Sequence, residues 1–154
     1  MRTATMPARP ASSAAAATCL ERAERALLEA GAASEHTLRY AAAHVAALRT
    51  AAAVLAVRTR PQPRGERNAW VLLTRVAPEL AEWAVFFAAG APKRAAAEAG
   101  LAHAVTTREA DDLLRDAECF LQVVQQLLGL ARQPLLPGQT VASTTARQPV
   151  RRAG

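Results

Sequence analysis

Between Ser34 and Arg60, the residues Leu38, Ala41, Val45, Leu48, Ala52 and Leu55 recur at alternating steps of three and four. That is the spacing of one helix face. Ser34 is placed to cap the start, and Pro61 cannot continue a helix, so the pattern predicts one helix over 34–60. At 1.5 Å rise per residue it would be about 37 Å long, enough to span a small bundle. Two other stretches share the period. Cys19, Leu20, Ala23, Leu27 and Ala30 line one side of 14–30, with Glu21, Arg22, Glu24 and Arg25 on the other, Ser13 as cap and Gly31 as stop. Ala110, Leu113, Ala117, Leu121, Val124 and Leu128 repeat along 107–131, and Leu114, Phe120 and Leu127 widen the stripe. Ahead of it, Thr106-Thr107-Arg108-Glu109 has the form of a capping box, in which Thr106 and Glu109 satisfy each other's free amides.

The middle of the chain is more broken. PQPRGER at 61–67 reads as a polar loop. Asn68 restarts helix, with Trp70, Leu73 and Ala77 on one face, until Pro78 removes a backbone donor. Either the helix kinks there, or it ends near Val76 and another begins with Pro78 in its first turn, carrying Glu79 and Glu82 where negative charge is stabilising. Leu80, Trp83, Ala84 and Phe87 continue the apolar face to Gly90, and 92–99 reads as a short satellite helix ending at Gly100. No segment alternates with a strand's period. The expected fold is all-α, an up-and-down bundle of four to five helices over 13–132. Its core would hold Leu48, Leu55, Trp70, Leu80, Trp83, Phe87, Leu113, Phe120 and Leu121. A disordered lead over 1–12 and a disordered basic tail over 133–154 flank it.

Composition agrees with helix: alanine supplies much of the hydrophobic content and only six residues are aromatic. The net charge is +6, but the tails hold five of those charges as Arg2, Arg9, Arg147, Arg151 and Arg152. The segment 14–132 carries fourteen basic and thirteen acidic residues. Within it, the basic excess concentrates in Arg58–Arg67, where four arginines face Glu66. These groups are either solvated or make electrostatic contact with an acidic partner such as RNA. Cys19 and Cys119 lack metal or redox spacing and read as small buried hydrophobes. No apolar run reaches 18 residues without a charge, and no secretory h-region opens the chain. The expectation is a cytoplasmic protein with no membrane partner.

Candidate chemistry is sparse. There is no Gly-rich phosphate loop, HExxH, paired CxxC or GxSxG, and the three histidines do not pair at helical spacing, so neither a metal nor a cofactor is expected. Glu109, Asp112 and Asp116 fall along one flank of the last helix. They suit either a cation site or an exposed face laced by the pairs Arg108–Asp112 and Asp111–Arg115. Arg39 and His44 are the candidate catalytic residues. In metal-free RNA cleavage a histidine moves protons to and from the reacting oxygens, and an arginine stabilises the phosphorane charge. On one straight helix, residues five apart diverge by about 140°. His44 then lines up with Tyr40, and Arg39 points elsewhere. The other reading is a Tyr40/His44 pair packing at the bundle edge. Tyr40, Arg49, Arg58, Arg60 and Arg64 are the candidate binding residues.

The stretches RYAAAHVAALRTAAAVLAVRTRP, AWVLLTRVAPELAEWAVFFAAGAPKRAAAEAG and TREADDLLRDAECFLQ together resemble a small family of high-GC bacterial proteins in the HEPN superfamily (higher eukaryotes and prokaryotes nucleotide-binding). The resemblance covers about residues 15–130. It implies a helical bundle, often dimeric. Many members are metal-free RNases or RNA-associated toxins whose motif is an arginine and a histidine four to six residues apart, and others serve as binding or scaffold domains. Arg39 and His44 match that motif by spacing, but on the second helix rather than a late one, with Tyr40 where a polar residue often stands. The resemblance therefore implies a non-catalytic module associated with RNA or a nucleotide. The alternative is a metal-independent endoribonuclease using Arg39 and His44. The partners it implies are a second copy of the chain and an antitoxin-type protein.

Overall fold

The computed structural model describes residues 10–60 and 64–129. They form α1 (Pro10–Ala32), α2 (His36–Arg58), α3 (Ala69–Val76), a 3-10 turn (Pro78–Leu80), α4 (Ala81–Ala89), α5 (Ala91–Glu98) and α6 (Thr107–Leu127). Among the described residues there is no strand, and the fold is an all-α bundle. With α3, the turn and α4 taken as one interrupted arm, it has five helical units. The expected tail over 133–154 and most of the lead lie outside the described residues.

Local chemistry explains most boundaries. Asn68 accepts from the backbone N–H groups of Trp70 and Val71 and so starts α3. Pro78 needs no donor in the first turn of the 3-10 segment, so helix ends at Val76 and resumes at once. Gly100, at φ 81°, closes α5: its N–H reaches the Ala97 carbonyl and that of Leu101 reaches Ala96. Both bonds belong to one Schellman cap, a turn that favours glycine. The capping box of α6 is present as read, with Thr106 and Glu109 each bonding the other's backbone.

Two expected caps are not used. Glu35 holds the N-cap position of α2 and makes no side-chain bond, leaving Ser34 outside. α1 begins at Pro10 rather than after Ser13, because a proline suits a first turn and the alanines that follow sustain the helix. α6 also stops at Leu127, short of 131.

α2 lies at the centre, against α1, α6, α5 and α3. By length and hydropathy it could span a bilayer, but here its neighbours cover more than half of it. Its buried face differs from the expected one. Tyr40, Ala43, His44, Ala47, Thr50, Ala51 and Val54 are buried, whereas Leu48 is partly buried and Leu38 is 58% exposed. Ala16, Ala23, Ala26 and Ala30 of α1 are buried as well. Small side chains on both helices let the axes approach closely, and the bulkier leucines are displaced to the margins. Leu55 is likewise only partly buried. The other seven expected core residues are buried. Cys19 and Cys119 are free thiols, half-buried at the core's edge rather than within it.

The second half of the core is aromatic. Trp83 stacks on Phe87 and Phe120 with centroids 5.9 and 5.3 Å apart, and Trp70 stacks on Phe87 at 5.4 Å. α3, α4 and α6 thus meet through rings, as α1 and α2 meet through alanines.

Candidate functional site

His44 projects from α2 into the aromatic half of the core and has no exposed surface. Its ring meets Trp70 and Phe87 edge-on, with centroids 6.1 and 6.4 Å away. Its Nε2 donates to the Phe87 carbonyl oxygen at 2.8 Å, which fixes the proton on that nitrogen. Nδ1 has no hydrogen-bond partner among the described residues. Burial pushes the imidazole's pKa below its ordinary value, the Phe87 carbonyl works against this, and the charges of Arg94 and Glu98 act in opposite directions. The group is a neutral imidazole.

Arg39, five residues earlier, is anchored elsewhere. Its guanidinium pairs with Asp111 of α6 and donates to the Ala33 carbonyl just beyond α1, at 2.7 Å. Three helices are tied at that point. The Arg39 side chain is only one-fifth exposed. Asp111 is therefore not paired with Arg115, which approaches Asp112 instead at 3.8 Å. The expected Asp111–Arg115 pair is replaced by a contact across the bundle, because Asp111 faces α2.

Tyr40 is 5% exposed and does pack beside His44, around Gly90 at the end of α4. A Cβ on Gly90 would lie 2.9 Å from the Tyr40 hydroxyl and 3.3 Å from His44 Cδ2, so this backbone passes where only glycine fits easily. Burial, and then the charge of Glu109, raise the tyrosine's pKa.

Beyond Tyr40 and Gly90 opens a cavity of about 410 Å³. Tyr40 of α2, Phe86 of α4, Lys93 of α5, and Glu109, Asp112 and Asp116 of α6 line it. Lys93 bonds Glu109, and that bond, with the Thr106 amide, lowers the carboxyl's pKa against the effect of burial. The three acids were legible as one flank of a helix. Lys93 and Phe86 were not, since nothing in the chain's order says that α4 and α5 face that flank. No group of three or more His, Cys, Asp or Glu among the described residues converges closely enough to hold a metal ion.

The remaining candidates, Arg49, Arg58, Arg60 and Arg64, are exposed. Arg58 is engaged: it bonds Glu79 and the Val76 carbonyl, joining the ends of α2 and α3. Burial raises the Glu79 pKa, but its own backbone amide and Arg58 outweigh this and hold it low.

The SAV_6107-like HEPN family model matches residues 30–125, from the end of α1 to within one turn of the end of α6. The chain belongs to the SAV_6107-like HEPN family. No curated protein and no solved structure matches it. For this HEPN chain, the matched span contains Arg39, Tyr40, His44 and every residue lining the cavity.

Proposed function

We propose that the chain is a non-catalytic HEPN module that works by binding, in an RNA- or nucleotide-linked process in the cytoplasm. The placement of His44 carries this reading. A general acid or base must come within about 2.6–3.2 Å of the proton that it moves. An imidazole with no exposed surface, bonded to Phe87 and enclosed by two rings, offers no such approach to a phosphodiester. Arg39 is equally committed, to Asp111 and Ala33. Spacing reproduces the nuclease motif, and packing uses both residues for other work.

Two surfaces support binding. Arg60, Arg64 and Arg67, following α2, are exposed, and Arg49 is exposed on the helix itself; an acidic polymer is their natural partner. At the other end of α2, Leu38 is joined by Leu28 and Leu101, 74% and 59% exposed. His36 holds the Leu101 loop there through the Ala102 carbonyl. Exposed leucines gathered at one end suit contact with a second copy of the chain.

The deciding assay incubates the purified chain with RNA at neutral pH in the presence of a chelator. Intact RNA, and identical behaviour of wild type and His44→Gln, is the expected result. Cleavage by wild type that His44→Gln abolishes would make the protein an endoribonuclease. In the same preparation, Arg60→Ala with Arg64→Ala should weaken RNA retention at all sequences and lower the salt slope by about one to two.

A further inference from the structure

We infer that the arginine-rich end of α2 takes double-stranded RNA rather than a single strand, by its sugar–phosphate backbone and without regard to sequence. This rests on the RNA-binding reading above and names the form of RNA. Arg60, Arg64, Arg67 and Arg75 are exposed, and among the described residues no ion pair engages any of them. Arg67 precedes α3 and Arg75 lies in its last turn, which sets them about 12 Å apart along that helix at 1.5 Å rise per residue. Arg58 holds the same turn against the end of α2 through the Val76 carbonyl.

What stands beside these arginines decides the form. Single-stranded RNA is held mainly by stacking its bases on aromatic side chains. The chain's aromatic residues are Tyr40, Trp70, Trp83, Phe86, Phe87 and Phe120. All but Phe86 are buried, and Phe86 is half-buried against Phe87 at the cavity wall. No ring is left on the surface to receive a base. An arginine that stacks on a base in its place gives up the bidentate phosphate contact that holds the strand. Base edges lack readers too. Among the described residues from Arg58 to Arg75, the uncharged and acidic polar side chains are Thr59, Glu66, Asn68 and Thr74, and each is bonded to nearby backbone. The surface therefore offers charge alone. A duplex carries twice the phosphate charge of one strand over the same length, and each contact contributes more, with a salt slope of about 0.9 against about 0.7 for single strands. Side chains do not enter the deep, narrow major groove of A-form RNA, so the arginines stay on the phosphates and sequence goes unread.

Fluorescence anisotropy on the full-length chain compares three RNA probes of about 20 nucleotides per strand: single-stranded oligoadenylate, its duplex with oligouridylate, and a duplex of mixed sequence. Both duplexes should bind about fivefold or more tighter than the single strand and agree with each other within about twofold. Arg67→Ala with Arg75→Ala should lower the duplex salt slope by about two. If that pair has no effect and Arg151→Ala with Arg152→Ala supplies the loss, the contact lies elsewhere and the inference fails. Equal or tighter binding of the single strand, or a preference of about tenfold between the two duplexes, overturns it while leaving RNA binding in place. Binding of no probe ends both readings.

Discussion

His44 couples the core to pH. Protonating it would place an N–H at Nδ1, where no acceptor stands, inside rings that exclude water. Its folded pKa lies below the ordinary imidazole value, so the neutral form is the folded form. The resulting stability is present in full above about pH 6.5 and is lost as pH falls toward the depressed folded value, where the unfolded chain takes up a proton first. The melting temperature of wild type should therefore drop between about pH 7 and 5 more steeply than that of His44→Gln, whose amide can still donate to Phe87. Parallel curves would remove His44 as the cause. Gly90 gives a second test. Its φ of −82° suits any residue, so Gly90→Ala is penalised by contact with Tyr40 and His44 rather than by backbone strain. A loss of about 1–2 kcal/mol is expected in urea denaturation, and Tyr40→Phe in the same chain should recover part of it by removing the clashing oxygen.

Among the helices, Arg39 acts as a fastener between the start of α2, the end of α1 and the flank of α6. Arg39→Ala frees the Ala33 carbonyl and Asp111 together and should cost about 1–2 kcal/mol, with Asp111→Asn costing less because that carboxylate is nearly half exposed. If chemical denaturation shows no loss for Arg39→Ala, the guanidinium is not structural. Asn68→Ala removes the acceptor of two α3 amides and should cost about 1 kcal/mol by the same measurement. Caps of this kind were legible in the sequence, as were the interruption at Pro78 and the boxed start of α6. Each depends on residues within three or four positions of one another. The buried face of α2 was not legible. Alanines surround that helix, so the leucines were the only strong markers of a stripe, and they marked its edges. Close approach of α1 selects the small residues, a preference that no period within α2 can express.

Over the whole molecule, the six aromatic residues are spent in one place: five form the ring-packed half of the core, and Tyr40 sits at its border with the cavity. The alanine-packed half holds α1 against α2 without them. This division leaves α2 with leucines exposed near its start and arginines near its end. Sedimentation should report a self-associating chain, and Leu38→Asp, at a side chain that is 58% exposed, should shift it to monomer with little change in melting temperature. By itself the sequence determined the helical class, most helix boundaries and caps, and the membership of the aromatic core, because propensity, proline geometry and capping act over one turn. Only the tertiary structure decided which face of α2 is buried, that His44 is sealed and Arg39 bound to an aspartate 72 residues away, and that three acids share a cavity with Lys93 and Tyr40. Those facts depend on how separate helices pack, and the packing is set by side-chain volumes on partners distant in the chain.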